Sequence, residues 1–139
     1  LIAGILAKKG TYQLPHIVKK NENILKLNKD LKEEDWNKVH AALIDVIYSP
    51  NGTGYRINAG ELNLAGKSGT AQVVDISSRE EYDEVRKNPL LRDHAVFIGF
   101  APYDNPRYSI AVIVENGESG GRTAGPIAKK VIEELLNGF

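Results

Sequence analysis

Two extended runs, His94 to Ala101 and Tyr108 to Glu115, flank Pro102-Tyr103-Asp104-Asn105-Pro106, and this arrangement constrains the fold more than any other feature of the chain. Val96, Phe97, Ile98 and Phe100 in the first run, and Ile110, Val112, Ile113 and Val114 in the second, are types that suit a pleated surface. A proline-bounded turn between such runs predicts an antiparallel hairpin. Upstream, Lys67-Ser68-Gly69-Thr70-Ala71-Gln72-Val73-Val74 reads as a third strand, reached through a polar, glycine-punctuated approach from Gly54 to Gly66.

Helices frame these strands. Trp36, Val39, Leu43, Val46 and Ile47 recur at spacings of three and four, which predicts an amphipathic helix over roughly 31–48 with Trp36 in the core. Asp30, Glu33, Glu34 and Asp35 resemble a capping box at its start, and Ser49-Pro50-Asn51-Gly52 ends it. Leu1 to Lys9 reads as a helix tail closed by Gly10. The stretches Tyr12 to Val18 and Asn23 to Leu27 predict a short two-stranded excursion. Asn116 to Gly121 reads as a flexible glycine-rich link. Pro126 opens a last helix with Ile127, Ala128, Val131 and Leu135 expected inward. The sum is an α+β architecture, an antiparallel sheet covered by helices.

Composition removes several function classes. Eighteen basic residues balance eighteen acidic ones, so no net field favours nucleic acid or an anionic surface. The chain has no cysteine, and its three histidines, His16, His40 and His94, lack ligand spacing, so no metal or other cofactor is expected. No apolar run reaches the roughly 18 residues that span a bilayer, and no signal peptide is recognisable. With no methionine among 139 residues and a start inside an apolar helix, residues 1–139 are expected to be part of a longer protein and an incomplete domain.

Gly66-Lys67-Ser68-Gly69-Thr70 invites two readings. A phosphate-binding loop needs four residues between its first glycine and Gly-Lys-Ser, whereas five separate Gly60 from Gly66, and the motif must open a helix. The residues after Thr70 favour extended structure instead. The second reading is the Lys-Thr/Ser-Gly strand of penicillin-binding proteins and serine β-lactamases. Its context strengthens it: Gly52-Thr53-Gly54-Tyr55-Arg56, Ala65 to Val73, Arg92 to Pro102 and Val114-Glu115-Asn116-Gly117 resemble, in order and spacing, the elongation-type class B transpeptidases, the penicillin-binding protein 2 family.

That resemblance implies the C-terminal part of a serine β-lactamase/penicillin-binding transpeptidase fold. It implies peptidoglycan cross-linking, in which a serine attacks the penultimate D-Ala carbonyl of a stem peptide, and acylation of that serine by β-lactams. Lys67 and Thr70 match catalytic positions, and Ser68, Gly69, Thr70 and Gln72 match substrate-binding ones. In a strand, Ser68 and Thr70 share a face, so two hydroxyls can grip one carboxylate, while Gly69 leaves backbone bare for a guest. Lys67 holds a fixed positive charge near the nucleophile. The Thr70 N–H would be one of two oxyanion donors, each worth about 2.7–4 kcal/mol of transition-state stabilisation. Implied partners are the stem peptide, β-lactams, the remainder of the transpeptidase domain, a SEDS-type glycosyltransferase and the rod-shape scaffold protein MreC, with a membrane-anchored parent at the periplasmic face of the inner membrane.

No serine here is followed three residues later by lysine, so the nucleophile is expected outside residues 1–139. A non-catalytic β-lactam or peptidoglycan-peptide sensor of the same fold is the alternative. Ser49-Pro50-Asn51 matches a Ser-x-Asn element by letter but closes a helix, and is read as a turn. Asp93-His94 is read as structural, His40 as surface or rim, and the acidic cluster at Glu80, Glu81, Asp83 and Glu84 as a solvated helix face. The connection from Asp75 to Asp93 is expected to be mobile and to overhang the cleft.

Overall fold

A computed structural model describes residues 1–18, 23–27, 31–75 and 77–138. The order is α1 (Ile2–Ala7), β1 (Thr11–Tyr12), β2 (Leu25–Lys26), α2 (Glu33–Tyr48), β3 (Ala65–Ala71), α3 (Arg79–Val85), β4 (His94–Ala101), β5 (Tyr108–Val114) and α4 (Gly125–Asn137). The strands β3, β4 and β5 form one antiparallel sheet in that spatial order, so β3 and β5 are its edges. Lys67 stands opposite Ile98, Ser68 opposite Phe97, Gly69 opposite Val96 and Thr70 opposite Ala95. The strand starts two residues before the expected Lys67 and stops at Ala71, leaving Gln72 to Val74 outside it.

Period-two alternation puts Ala95 and Phe97 on one sheet face and Phe100 on the other. The first face packs with Ile47, Ile57, Leu64, Ala124, Ala128 and Ile132, and the second with Ala7 and Leu43. Helix α2 feeds both clusters, Ile47 to one and Leu43 to the other, and so lies along the β3 side. The ring of Phe97 lies where two glycines face each other. A Cβ at Gly66 would stand 2.5 Å from Phe97 Cζ, and one at Gly99 2.9 Å from Phe97 Cε1. The bare pair Gly66–Gly99 is therefore what admits one of the two fully buried phenylalanine rings.

Several expectations change in detail. Helix α2 begins at Glu33, with Asp35 Oδ2 accepting from the Lys32 N–H at 3.1 Å, and Asp30 lies outside the described residues. His40, expected at the surface, is buried: its Nε2 donates to the Leu6 carbonyl at 2.7 Å and its ring lies 5.1 Å from that of Phe100. Val39, expected inward, is exposed. Trp36 is half-buried, its ring against Gly10, whose φ of +89° and N–H bond to Ile5 O end α1 as expected of a C-terminal glycine. In α4 the buried stripe is Ala128 and Ile132 with Leu136 packed alongside, while Ile127 and Val131 are exposed. Both stripes satisfy helical spacing, and only the neighbouring elements choose between them.

The link over 116–121 is not loose. Gly120 and Gly121 are buried at the start of a wide turn, Gly120–Ala124, that feeds α4. The two-stranded excursion exists but is short, with Thr11 opposite Lys26 and Tyr12 opposite Leu25. The expected strand stretches 13–18 and 23–24 are outside those strands. The connection from Asp75 to Asp93, expected to be mobile, is tied down at its far half. Arg86 Nε and Nη2 reach Glu118 Oε1 at 2.8 and 2.6 Å, Asn116 Nδ2 donates to the Leu90 and Arg92 carbonyls, and the Glu118 N–H donates to Asp93 O.

Candidate active site

The tetrapeptide Lys67-Ser68-Gly69-Thr70 lies in an edge strand, with Lys67, Gly69 and Thr70 exposed and Ser68 buried. An edge strand turns alternate N–H and C=O groups away from its sheet, where an extended guest can pair with them. The extended backbone also excludes the phosphate-loop reading, which needs a helix start there. The Lys67 ammonium donates to the Ser68 carbonyl and makes no ion pair among the described residues. Ser68 Oγ and Thr53 Oγ1 are hydrogen-bonded at 2.8 Å.

Gly69 separates from the other glycines of the region. A Cβ built on it meets only Val96 Cβ, at an ordinary 3.8 Å. No packing among the described residues demands glycine at this position. By contrast, a Cβ at Gly120 would stand 2.2 Å from Val96 O and 2.5 Å from Gly69 O. The strand is thus backed tightly from one side and left bare on the other.

The Gly52-Thr53-Gly54 segment is clamped beside it. A Cβ at Gly52 would lie 2.3 Å from Val46 O, the Gly54 N–H donates to that same carbonyl at 2.9 Å, and a Cβ at Gly121 would lie 2.2 Å from Thr53 O. A groove of about 360 Å³, lined by Lys67, Thr53, Asp45, Ser49 and Asn51 among others, runs along this corner. A larger concavity of about 490 Å³ beside Tyr48, Tyr55 and Arg56 contains none of the four motif residues.

Gln72 is exposed one residue beyond the end of β3. His94 is structural in its contacts: its Nδ1 accepts from the Asn116 N–H at 3.0 Å, which places its proton on Nε2. Asp93 is buried, its Oδ2 receiving Tyr82 Oη at 3.4 Å and its Oδ1 without a partner among the described residues, so Asp93 and His94 are not bonded to each other. Ser49 caps the C-terminus of α2, with its N–H on Asp45 O. Of the acidic cluster, Glu81 accepts from Ser77 N and Oγ, bonds that hold its carboxyl below the usual range, and Glu84 pairs with Lys87. The Glu118 hydrogen bond likewise raises Arg86 above its usual value.

Two parts of this corner carried no role in the sequence reading. Thr53 enters there only within the Gly52-Thr53-Gly54-Tyr55-Arg56 stretch of the family resemblance, and Gly120-Gly121 only as a mark of flexibility. The paired glycines were a usable signal, since adjacent bare positions before a helix also suit close approach of two backbones.

A family model described as the penicillin binding protein transpeptidase domain matches residues 2–133. The chain is 38% identical over 146 residues to the peptidoglycan D,D-transpeptidase MrdA of Acinetobacter baumannii, covering 98% of this chain and 21% of that protein. Among solved structures it resembles Pseudomonas aeruginosa PBP2 in complex with WCK 5153, with a TM-score of 0.78, 32% identity, and coverage of 99% of this chain and 29% of that one. It also resembles PBP2 from Helicobacter pylori in a complex with MreC, with a TM-score of 0.72, 28% identity, and coverage of 97% and 23%. Residues 1–139 thus span about a fifth of the A. baumannii protein. An antiparallel sheet whose bare-glycine edge strand reads Lys-Ser-Gly-Thr, together with these matches, shows that the chain belongs to the penicillin-binding protein transpeptidase family.

Proposed function

We propose that this chain is the substrate-docking part of a peptidoglycan D,D-transpeptidase, in which a serine outside residues 1–139 attacks the penultimate D-Ala carbonyl of a stem peptide. The single observation that carries this reading is Gly69, exposed on an edge strand, where a Cβ would make only an ordinary contact with Val96 and nothing among the described residues requires glycine. An extended peptide ending in a carboxylate can lie along that edge through main-chain hydrogen bonds. Thr70 and Ser68 supply hydroxyl donors for the terminal carboxylate, and Lys67 supplies positive charge beside it. The Thr70 N–H serves as one oxyanion donor, the second coming from the nucleophile's own backbone. Gln72 borders the entrance.

The acyl-enzyme is then resolved by an amine of a neighbouring stem peptide, and a β-lactam imitates the D-Ala-D-Ala end. Among the described residues no helix is long and apolar enough to cross a membrane. Family likeness supports action at the periplasmic face of the inner membrane, beside a SEDS-type glycosyltransferase and MreC, the latter being the partner seen with the H. pylori relative.

Labelled penicillin tests the reading. The intact protein should be acylated on a serine outside residues 1–139, residues 1–139 by themselves should take no label, and Lys67→Ala in the intact protein should depress labelling strongly. A covalent adduct on residues 1–139 alone would overturn it. Labelling of the intact protein without any cross-linking of stem peptides would favour a sensor of the same fold.

A further inference from the structure

The hydroxyl of Ser68 raises a problem for the docking reading. Its residue is buried to 9% exposure and its oxygen lies 2.8 Å from Thr53 Oγ1, a bond in which either hydroxyl can be the donor. A carboxylate accepts hydrogen bonds and donates none, so Ser68 can bind it only with its one proton aimed at the carboxylate and not at Thr53. Thr53 must then be the donor of the pair, or the buried Ser68 oxygen loses a partner at the moment of binding.

We propose that Thr53 is the positioning residue of the carboxylate site: its hydroxyl pairs with Ser68 in either direction when the strand is empty and donates to Ser68 when a substrate carboxylate takes the Ser68 proton. The proposal rests on the transpeptidase reading and goes beyond it to a residue outside the Lys-Ser-Gly-Thr strand. Only a hydroxyl can serve in both directions, which makes threonine and serine competent there and valine not, despite its equal shape. Hydrogen-bond donors to a charged acceptor are also strengthened when they themselves accept, since linked bonds polarise one another.

The surroundings fit a placed group rather than a chance surface contact. The Thr53 side chain is exposed in the groove beside Lys67. Its main chain is held on two sides, by the Gly54 N–H on Val46 O at 2.9 Å and by Gly121, where a Cβ would come within 2.2 Å of Thr53 O. A fixed backbone and an exposed side chain keep Oγ1 near one place while leaving its proton free to rotate.

The test uses the intact protein and two probes, benzylpenicillin and its methyl ester, which lacks the anionic carboxylate. Second-order acylation rates are measured for wild type, Thr53→Val, Thr53→Ser, Ser68→Ala and the Thr53→Val/Ser68→Ala double variant. Thr53→Val should slow acylation by benzylpenicillin about tenfold, the scale of one hydrogen bond to a charged group, and leave the ester rate within about twofold. Thr53→Ser should retain the wild-type preference for the acid. With Ser68 already alanine, Thr53→Val should cost nothing further. Equal slowing toward acid and ester would reduce Thr53 to a structural residue and overturn the proposal, as would no slowing, or an undiminished effect in the Ser68→Ala background. A wild-type protein that neither probe acylates would instead sink the transpeptidase reading, and the proposal with it.

Discussion

Gly120 lies with its backbone against Gly69: a Cβ on Gly120 would stand 2.5 Å from Gly69 O and 2.8 Å from Gly69 N, whereas a Cβ on Gly69 would meet nothing closer than Val96 Cβ at 3.8 Å. Two glycines in contact thus have opposite reasons for being glycine. One lets the turn before α4 press on the motif strand, and the other keeps the strand's free side clear.

This asymmetry separates stability from activity. In the intact protein, Gly120→Ala should destabilise by about 1–3 kcal/mol, the usual cost of overpacking, because the atoms it meets are backbone and cannot swing away. Gly69→Ala should stay within about 0.5 kcal/mol of wild type and yet lower the rate of acylation by penicillin. Thermal unfolding and acylation kinetics on the same two variants check the pair, and a Gly69→Ala protein with unchanged acylation would remove the main support for docking on that side.

Tyr48 makes an alkaline prediction. Its hydroxyl accepts from the buried Leu64 N–H at 3.1 Å, its ring stands edge-on to Tyr103, and burial raises its ionisation above the ordinary value of 10.0. The folded state therefore holds this proton more tightly than the unfolded one. Its contribution is complete below about pH 10 and is lost as pH rises from there through the folded value. Tyr48→Phe should cost about 1–3 kcal/mol near neutral pH, by leaving the Leu64 N–H unpaired, and should flatten the fall in stability above pH 10. Denaturant titrations between pH 7 and 11 read both effects.

The pinned connection after β3 makes a local prediction. Arg86 and Glu118 are partly exposed and pair at 2.6 Å, a geometry whose net worth at a surface is at most about 1 kcal/mol. Glu118→Gln should leave the global melting temperature nearly unchanged. Hydrogen exchange over residues 79–93 should rise, because that pair and the Asn116 bonds to the Leu90 and Arg92 carbonyls tie this segment to the β5–α4 turn. Unchanged protection there would show that Asn116 holds the segment without help.

His40 makes a packing prediction. It joins α2 to α1 through the Leu6 carbonyl at 2.7 Å and fills space beside Phe100. His40→Ala should destabilise by about 1–3 kcal/mol through the lost bond and the space left beside the ring. His40→Gln should recover part of that loss by restoring a donor. Thermal melts of the two variants decide it.

Much of this architecture was legible in the chain. The hairpin of β4 and β5 followed from alternating β-branched and aromatic residues around a proline-bounded turn, and α2 followed from apolar residues at spacings of three and four, because these periods are local properties of the backbone. The Lys-Ser-Gly-Thr motif and its family context were equally local. What local pattern could not supply was direction. Ile127 and Val131 satisfy a helical stripe as well as Ala128 and Ile132 do, and only the sheet beneath α4 selects the second pair. His40 reads as polar until the Leu6 carbonyl, 34 residues away, gives its ring a partner inside the protein.

The candidate site divides in the same way. Residues 67–70 were named by sequence because a strand's chemistry is written in consecutive positions. Thr53 beside Ser68, Gly120 beneath Gly69 and Asn116 beneath the 75–93 connection were decided by folding alone, since each contact joins residues at least 15 apart in the chain. A bare glycine reports only that a side chain is absent. Whether that absence admits a neighbouring backbone or leaves room for a guest depends on what the tertiary structure places across from it.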